Sequence, residues 1–98
     1  MGIPLNFTIS DIEKEVEERK VTSTVRSLGF IRRFNIRVGS IVEIKLHRRR
    51  IGFALVTDVK PLSEKESSNL EFLKSKGFKT DTFIPNNLYL IEFKWMDS

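Results

Sequence analysis

The 98-residue chain contains no cysteine, one histidine, three prolines and five glycines. Without cysteine there is no disulfide framework and no thiolate metal site. A zinc site needs several imidazoles or carboxylates at ligand spacing, and one histidine does not supply them. His47 lies beside three arginines and is the one imidazole of the chain, so it reads as a surface residue rather than the base of a Ser-His-Asp relay. The glycines form no Walker or dinucleotide loop. No apolar run approaches the ~20 residues that span a bilayer. The first residues lack the basic start and long apolar stretch of a secretory signal. The expectation is therefore a soluble cytoplasmic protein with no cofactor, no metal and no membrane partner.

What the chain does have is arginine, concentrated in one place. All eight arginines fall between Arg19 and Arg50. Residues 19–50 carry ten Lys or Arg against Glu43 alone, a net of +9. Residues 1–18 are net −4 and residues 51–98 net −1, so the total of +4 conceals a strongly cationic middle third. Such a field attracts polyanions, and the guanidinium fork matches phosphate and guanine edges.

At this length one domain is expected, burying roughly two thirds of its unfolded surface. Residues 3–9 alternate as a short strand, with Pro4 confining it to an edge. Ser10 and Glu13 form a capping box for a helix over residues 11–18. The stretch Arg19-Lys-Val-Thr-Ser-Thr-Val-Arg26 reads as a strand with two faces. Val21, Ser23 and Val25 suit a core; Lys20, Thr22, Thr24 and Arg26 suit an anionic ligand. In residues 27–37, Phe30 and Phe34 read as core, and Arg32, Arg33 and Arg37 point outward; stacking of the rings on unpaired bases is the second reading. Two strands, residues 41–47 and 51–59, form a hairpin with Arg48-Arg-Arg50 at its tip. Gly52 marks a bulge or close backbone approach. Ser63 with Glu66 caps a helix running to about Lys76, with Gly77 as its stop. Residues 80–84 suggest a helical turn and residues 85–87 a loop. The last strand, residues 88–95, puts Tyr89, Ile91, Phe93 and Trp95 on one face. About five strands and two helices give an α+β, mainly β fold, a small mixed barrel with helices over its openings.

The order of these motifs resembles the ASCH family of the PUA-like β-barrel group. The 19–26 stretch is similar to the family's G-x-K-T-x-T-x-R. Phe34-Asn-Ile-Arg-Val-Gly-Ser-Ile-Val-Glu-Ile44 is similar to F-x-x-G-D-x-V-x-I, with residues 51–59 as the following strand. Leu88-Tyr-Leu-Ile-Glu-Phe-Lys94 is similar to the closing Y-x-I-x-F strand. The resemblance implies a barrel whose cleft is lined by the K-T-x-T-x-R strand and binds RNA or nucleotides. Some relatives are amidohydrolases on acetylated cytidine, using a Lys and a Thr of that strand and a Glu of the later helix. Counted back from Arg26, Thr24 and Thr22 match the family threonines, Val21 stands at the Lys position, and Lys20 lies one place earlier. Lys76 precedes Gly77-Phe78 where the family often has Glu.

The reading that follows is a nucleic-acid-binding module, with RNA the first partner and DNA the second. Arg26, Arg32, Arg33, Arg37, Arg48, Arg49 and Arg50 contact phosphates, and Lys20, Thr22 and Thr24 line the cleft, all in one positive concavity. The alternative is a small-nucleotide amidohydrolase or ribonuclease of the ASCH type, with Lys20, Thr24 and Glu71 as candidate catalytic residues. A third option is an interaction domain whose acidic first helix docks a basic partner.

Overall fold

Strand β5, Leu88–Trp95, organises the sheet, because its two faces both carry apolar side chains. Ile91 and Phe93 are buried on one face, with Tyr89 and Trp95 packed beside them; Leu88 and Leu90 are buried on the other. A strand apolar on both sides belongs inside a layered structure. The computed structural model describes residues 2–8, 12–78 and 87–96. Ser10 of the expected capping box, the expected turn at 80–84 and most of the 85–87 loop lie outside the described residues.

The described residues form one five-stranded sheet in the order β1-β3-β4-β5-β2. The strands are β1 (Ile3–Phe7), β2 (Ser23–Ser27), β3 (Ile41–Leu46), β4 (Arg49–Pro61) and β5. Four short helices accompany them: α1 (Glu13–Glu17), α2 (Leu28–Phe34), α3 (Glu64–Ser67) and α4 (Leu70–Ser75). Among the described residues strand accounts for 44% and helix for 27%, so the fold is α+β and mainly β, a sheet curled into half a barrel. Pro4 sits on an edge strand, where a sheet tolerates proline. The inner face buries Leu5, Phe7, Val42, Ile44, Leu46, Val56, Ile91 and Phe93 under Ile12 and Val16 of the α1 segment and Ile31 of α2. A second cluster joins Val25, Leu88 and Leu90 to Leu73 of α4 on the outer side.

Two expected helices become four for local reasons. Residues 63–76 break at Ser68 and Asn69. The Ser68 hydroxyl turns back to the Glu64 carbonyl, and the Asn69 side chain accepts the Phe72 N–H as the cap of α4. Such side-chain bonds compete with helix continuation. The capping box of Ser63 and Glu66 is present and starts α3. Helix α2 went unread because its arginines interrupt the apolar pattern. Ser27 accepts the Phe30 N–H at 3.3 Å, Asn35 ends the helix in the left-handed region at φ 52°, and Phe30 and Phe34 stack at 4.8 Å.

The β3–β4 hairpin tip is His47-Arg48, narrower than the expected 48–50. Both residues have positive φ, 49° and 69°, the geometry of a two-residue turn that favours Asn-Gly. Replacing His47-Arg48 by Asn-Gly is expected to raise the unfolding free energy by about 1 kcal/mol, read from chemical denaturation. Gly52 flanks a register shift: Ile44 pairs with Gly52 and Lys45 with Arg50, leaving Ile51 as the extra residue. A Cβ at Gly52 would stand 3.1 Å from the Arg19 guanidinium and 3.3 Å from the Trp95 ring, which explains the glycine.

Candidate nucleic-acid interface

The two sheet edges, β1 and β2, meet across a seam closed by side chains rather than by a backbone ladder. Arg26 spans it. Its Nη2 donates to the Asn6 carbonyl of β1 at 3.1 Å, and its Nη1 donates to Thr24 Oγ1 at 2.6 Å and to the Val25 carbonyl at 2.8 Å. The guanidinium lies 5.3 Å over the Phe7 ring and 5.7 Å over the Phe30 ring. Burial pushes Arg26 down to about 10, still protonated at neutral pH. Thr24 is fully buried and donates to the Lys76 carbonyl at 2.7 Å.

This arrangement corrects the two-face reading of residues 19–26. The strand starts at Ser23, not Arg19. Thr24 and Arg26 turn inward to the seam, and Val25 turns outward to Leu73 of α4. Within β2 both faces are covered, so of the expected ligand-facing row only Lys20 and Thr22, which precede the strand, stay exposed. Thr24 is fully buried and Arg26, half-buried, spends its guanidinium on three bonds within the seam, so neither is free to line a cleft or hold a phosphate backbone.

The cleft lies next to the seam, between the N-terminal segment and the end of α4. It encloses about 300 Å³ and is lined by Ile12, Glu15, Lys20, Val21, Thr22, Ser23, Ser75 and Lys76. Two of its expected residues, Lys20 and Thr22, are present and exposed. Lys76, Ser75 and Glu15 were not foreseen. Lys76 was signalled only by its place before Gly77, where the chain must turn back against the sheet. Thr22 is held by its carbonyl, which accepts the Phe93 N–H at 2.9 Å, and Val21 by a bond from Trp95 Nε1 at 2.7 Å. Glu71 sits exposed on α4 and does not line the cleft, so Lys20, Thr24 and Glu71 do not assemble there.

Apart from Arg26 in the seam and Arg19, which donates to the Ile51 carbonyl at 3.1 Å and lies 5.5 Å over the Trp95 ring, the arginines divide into two sets. Acidic side chains hold one set. Arg50 is paired with Glu43, Arg49 approaches Glu17 at 4.0 Å, and His47 meets Glu13 at 3.0 Å, so the acidic α1 helix lies against the hairpin tip. Lys20 is 3.1 Å from Glu18. Exposed pairs of this kind are worth about 0–1 kcal/mol, but they cancel local field. Arg32, Arg33, Arg37 and Arg48 form the other set: all are exposed, and none has an ion-pair partner among the described residues. Phe30, Ile31 and Phe34 turn inward, which leaves Arg32 and Arg33 outside. The Arg48 N–H donates to Asn6 Oδ1 at 2.8 Å, so Asn6 joins the hairpin tip to the Arg26 seam. The expected single concavity is thus replaced by groups around the seam. The cleft lies on one side, α2 is joined through Phe30, and the hairpin tip through Asn6.

Glu43 is the one acid among residues 19–50, and it accepts a hydrogen bond from Arg50 with Lys45 3.5 Å away. The Arg50 bond holds its carboxyl below 4.5, opposed by partial desolvation and aided by the charges of Arg50 and Lys45. A carboxyl lowered in the folded state stabilises above its unfolded value and loses that contribution as pH falls. The difference in Tm between the native chain and Glu43→Gln is therefore expected to be largest at neutral pH and to close as pH falls below 4.5.

Among the described residues, no helix is long and apolar enough to cross a membrane. No family model, curated protein or solved structure matches the chain.

Proposed function

We propose that the protein is an RNA-binding module of the PUA-like type. In this reading Arg32, Arg33, Arg37 and Arg48 hold the phosphate backbone, and the cleft of Lys20, Thr22, Ser75 and Lys76 takes one nucleotide beside them. The observation that carries this reading is the division of the arginines. Four guanidiniums stay exposed with neither an ion pair nor a side-chain hydrogen bond among the described residues, while Arg49 and Arg50 face carboxylates, Arg26 is held in the seam and Arg19 is bound to the Ile51 carbonyl. Exposed, unpaired arginine costs little to desolvate against phosphate and releases counterions when it binds. The motif order similar to the ASCH family supports the same ligand class. Thr24 and Arg26 act as positioning residues, because they fix Lys76 and the α2 segment on either side of the seam.

Four arginines and two cleft lysines engaging about six phosphates give a log–log salt slope on the order of −4 for single-stranded RNA. Gel shifts with single- and double-stranded RNA and DNA at several salt concentrations measure it. Replacing Lys20 and Lys76 by Ala together is expected to make the slope shallower by about 1 to 1.5, with Tm unchanged. Salt-independent binding, or none to any of the four nucleic acids, overturns the proposal.

A further inference from the structure

The outer side of β3, β4 and the end of β5 carries an apolar strip that neither buried cluster covers. Its geometry follows from strand register. Ile41 stands opposite Leu55, and Leu55 opposite Lys94. One row along, Glu43 stands opposite Phe53, and the Met96 N–H donates to the Phe53 carbonyl, which sets Met96 beside Phe53. Val38 adjoins through the turn in which the Gly39 N–H donates to the Val56 carbonyl. Val38, Ile41, Leu55 and Met96 are between 38% and 63% exposed, although residues of this kind are usually covered.

The border of the strip is cationic. Lys94 closes the first row, and Arg37 precedes Val38. Arg50 lies 5.1 Å over the Phe53 ring. The acid inside the border, Glu43, is held by both Arg50 and Lys45, so among the described residues the border is net positive.

We propose that this face docks an acidic, aliphatic-rich segment of a partner protein laid across β3, β4 and β5. Charge complementarity selects the occupant. Carboxylates of the partner meet Lys94 and Arg37, while its apolar side chains cover Ile41 and Leu55. A second copy of the chain would bring two cationic borders together, which opposes association. Unpaired bases need an open aromatic platform, and the one ring here, Phe53, is already capped by Arg50. The face is separate from the RNA-binding groups except for Arg37, so this proposal stands or falls independently of that reading.

The test titrates isotope-labelled protein with three synthetic peptides, alternating Glu-Leu, Glu-Ser and Lys-Leu, and follows amide shifts. Glu-Leu is expected to bind with Kd on the order of 10–100 µM, shifting the amides of Val38, Ile41, Phe53, Leu55 and Met96. The Ile41→Ser/Leu55→Ser variant is expected to weaken it at least tenfold while RNA affinity stays unchanged. Lys94→Glu keeps the test decisive if that variant unfolds: it should weaken Glu-Leu and strengthen Lys-Leu. Four results overturn the proposal: equal binding of Glu-Ser or Lys-Leu to the native chain, an unaffected double variant, single-stranded RNA shifting the amides of Ile41, Phe53, Leu55 and Met96, or a dimer that the double variant dissolves.

Discussion

Gly77→Ala is expected to lower the unfolding free energy by about 3 kcal/mol or more. Two causes add. Gly77 has φ +78°, a backbone state that alanine adopts only with strain. A Cβ there would also overlap the ring of Phe7 and stand 3.1 Å from Ile12 Cδ1. Phe7 cannot yield, because it is fully buried and carries the Arg26 guanidinium on its face. Moving Gly77 instead displaces the Lys76 carbonyl, which accepts the buried Thr24 hydroxyl. Either route loosens the seam between β1 and β2. Gly39 provides the control: its φ is +95°, but nothing stands within 4 Å of an added Cβ. Gly39→Ala should therefore cost only the backbone term, about 1 kcal/mol. Gly77→Asn relieves much of the backbone strain and none of the overlap, so it should remain nearly as damaging as alanine. Denaturant midpoints for the three variants separate the causes. Equal costs at positions 39 and 77 would show that the Phe7 ring does not press on the chain at Gly77.

Sequence pattern located the sheet well where alternation and burial agree. Strand β5 spans the expected residues 88–95, and Val42, Ile44 and Leu46 face the core. Gly52 and Gly77 were legible because each answers a backbone requirement that leaves a glycine behind. Residues 19–26 were misread because alternation separates two faces without saying what covers each. Thr24 looks like a surface residue and Val25 like a core one, yet both are fully buried, one beside an arginine and one beside a leucine of α4. Arg26 as a bridge between β1 and β2 was invisible, since it depends on Asn6 and Phe7 arriving from the far edge of the sheet. The charge run had the same limit. Composition gave its net value, but only the approach of α1 to the hairpin tip shows that Glu13 and Glu17 oppose part of it. The cleft was half legible: Lys20 and Thr22 come from the motif, and Lys76 and Ser75 from a distant turn.

Reversing charge at Arg32, Arg33 and Arg37 together, each to Glu, is expected to weaken RNA binding roughly 100-fold or more at moderate salt. All three side chains are exposed on or just after α2, so the substitution reaches no buried group. Arg32 and Arg33 also sit in the last turn of that helix, where cations favour the dipole. Their reversal should therefore cost about 1 kcal/mol of stability as well, a loss readable as a lower Tm and too small to unfold the chain. The control reverses Arg49 and Arg50, which already face Glu17 and Glu43. That pair carries the same formal charge change minus one residue, yet it should weaken binding by less than about tenfold, because it removes charge that carboxylates already oppose. The contrast separates a local interface from general attraction. If net charge alone draws the nucleic acid, the two sets lose affinity in proportion to the residues reversed. If the exposed arginines of the α2 segment make the contacts, the triple variant also loses about 2 from its salt slope, and the hairpin pair leaves the slope nearly as it was. Proportional losses in both sets would place the binding outside α2.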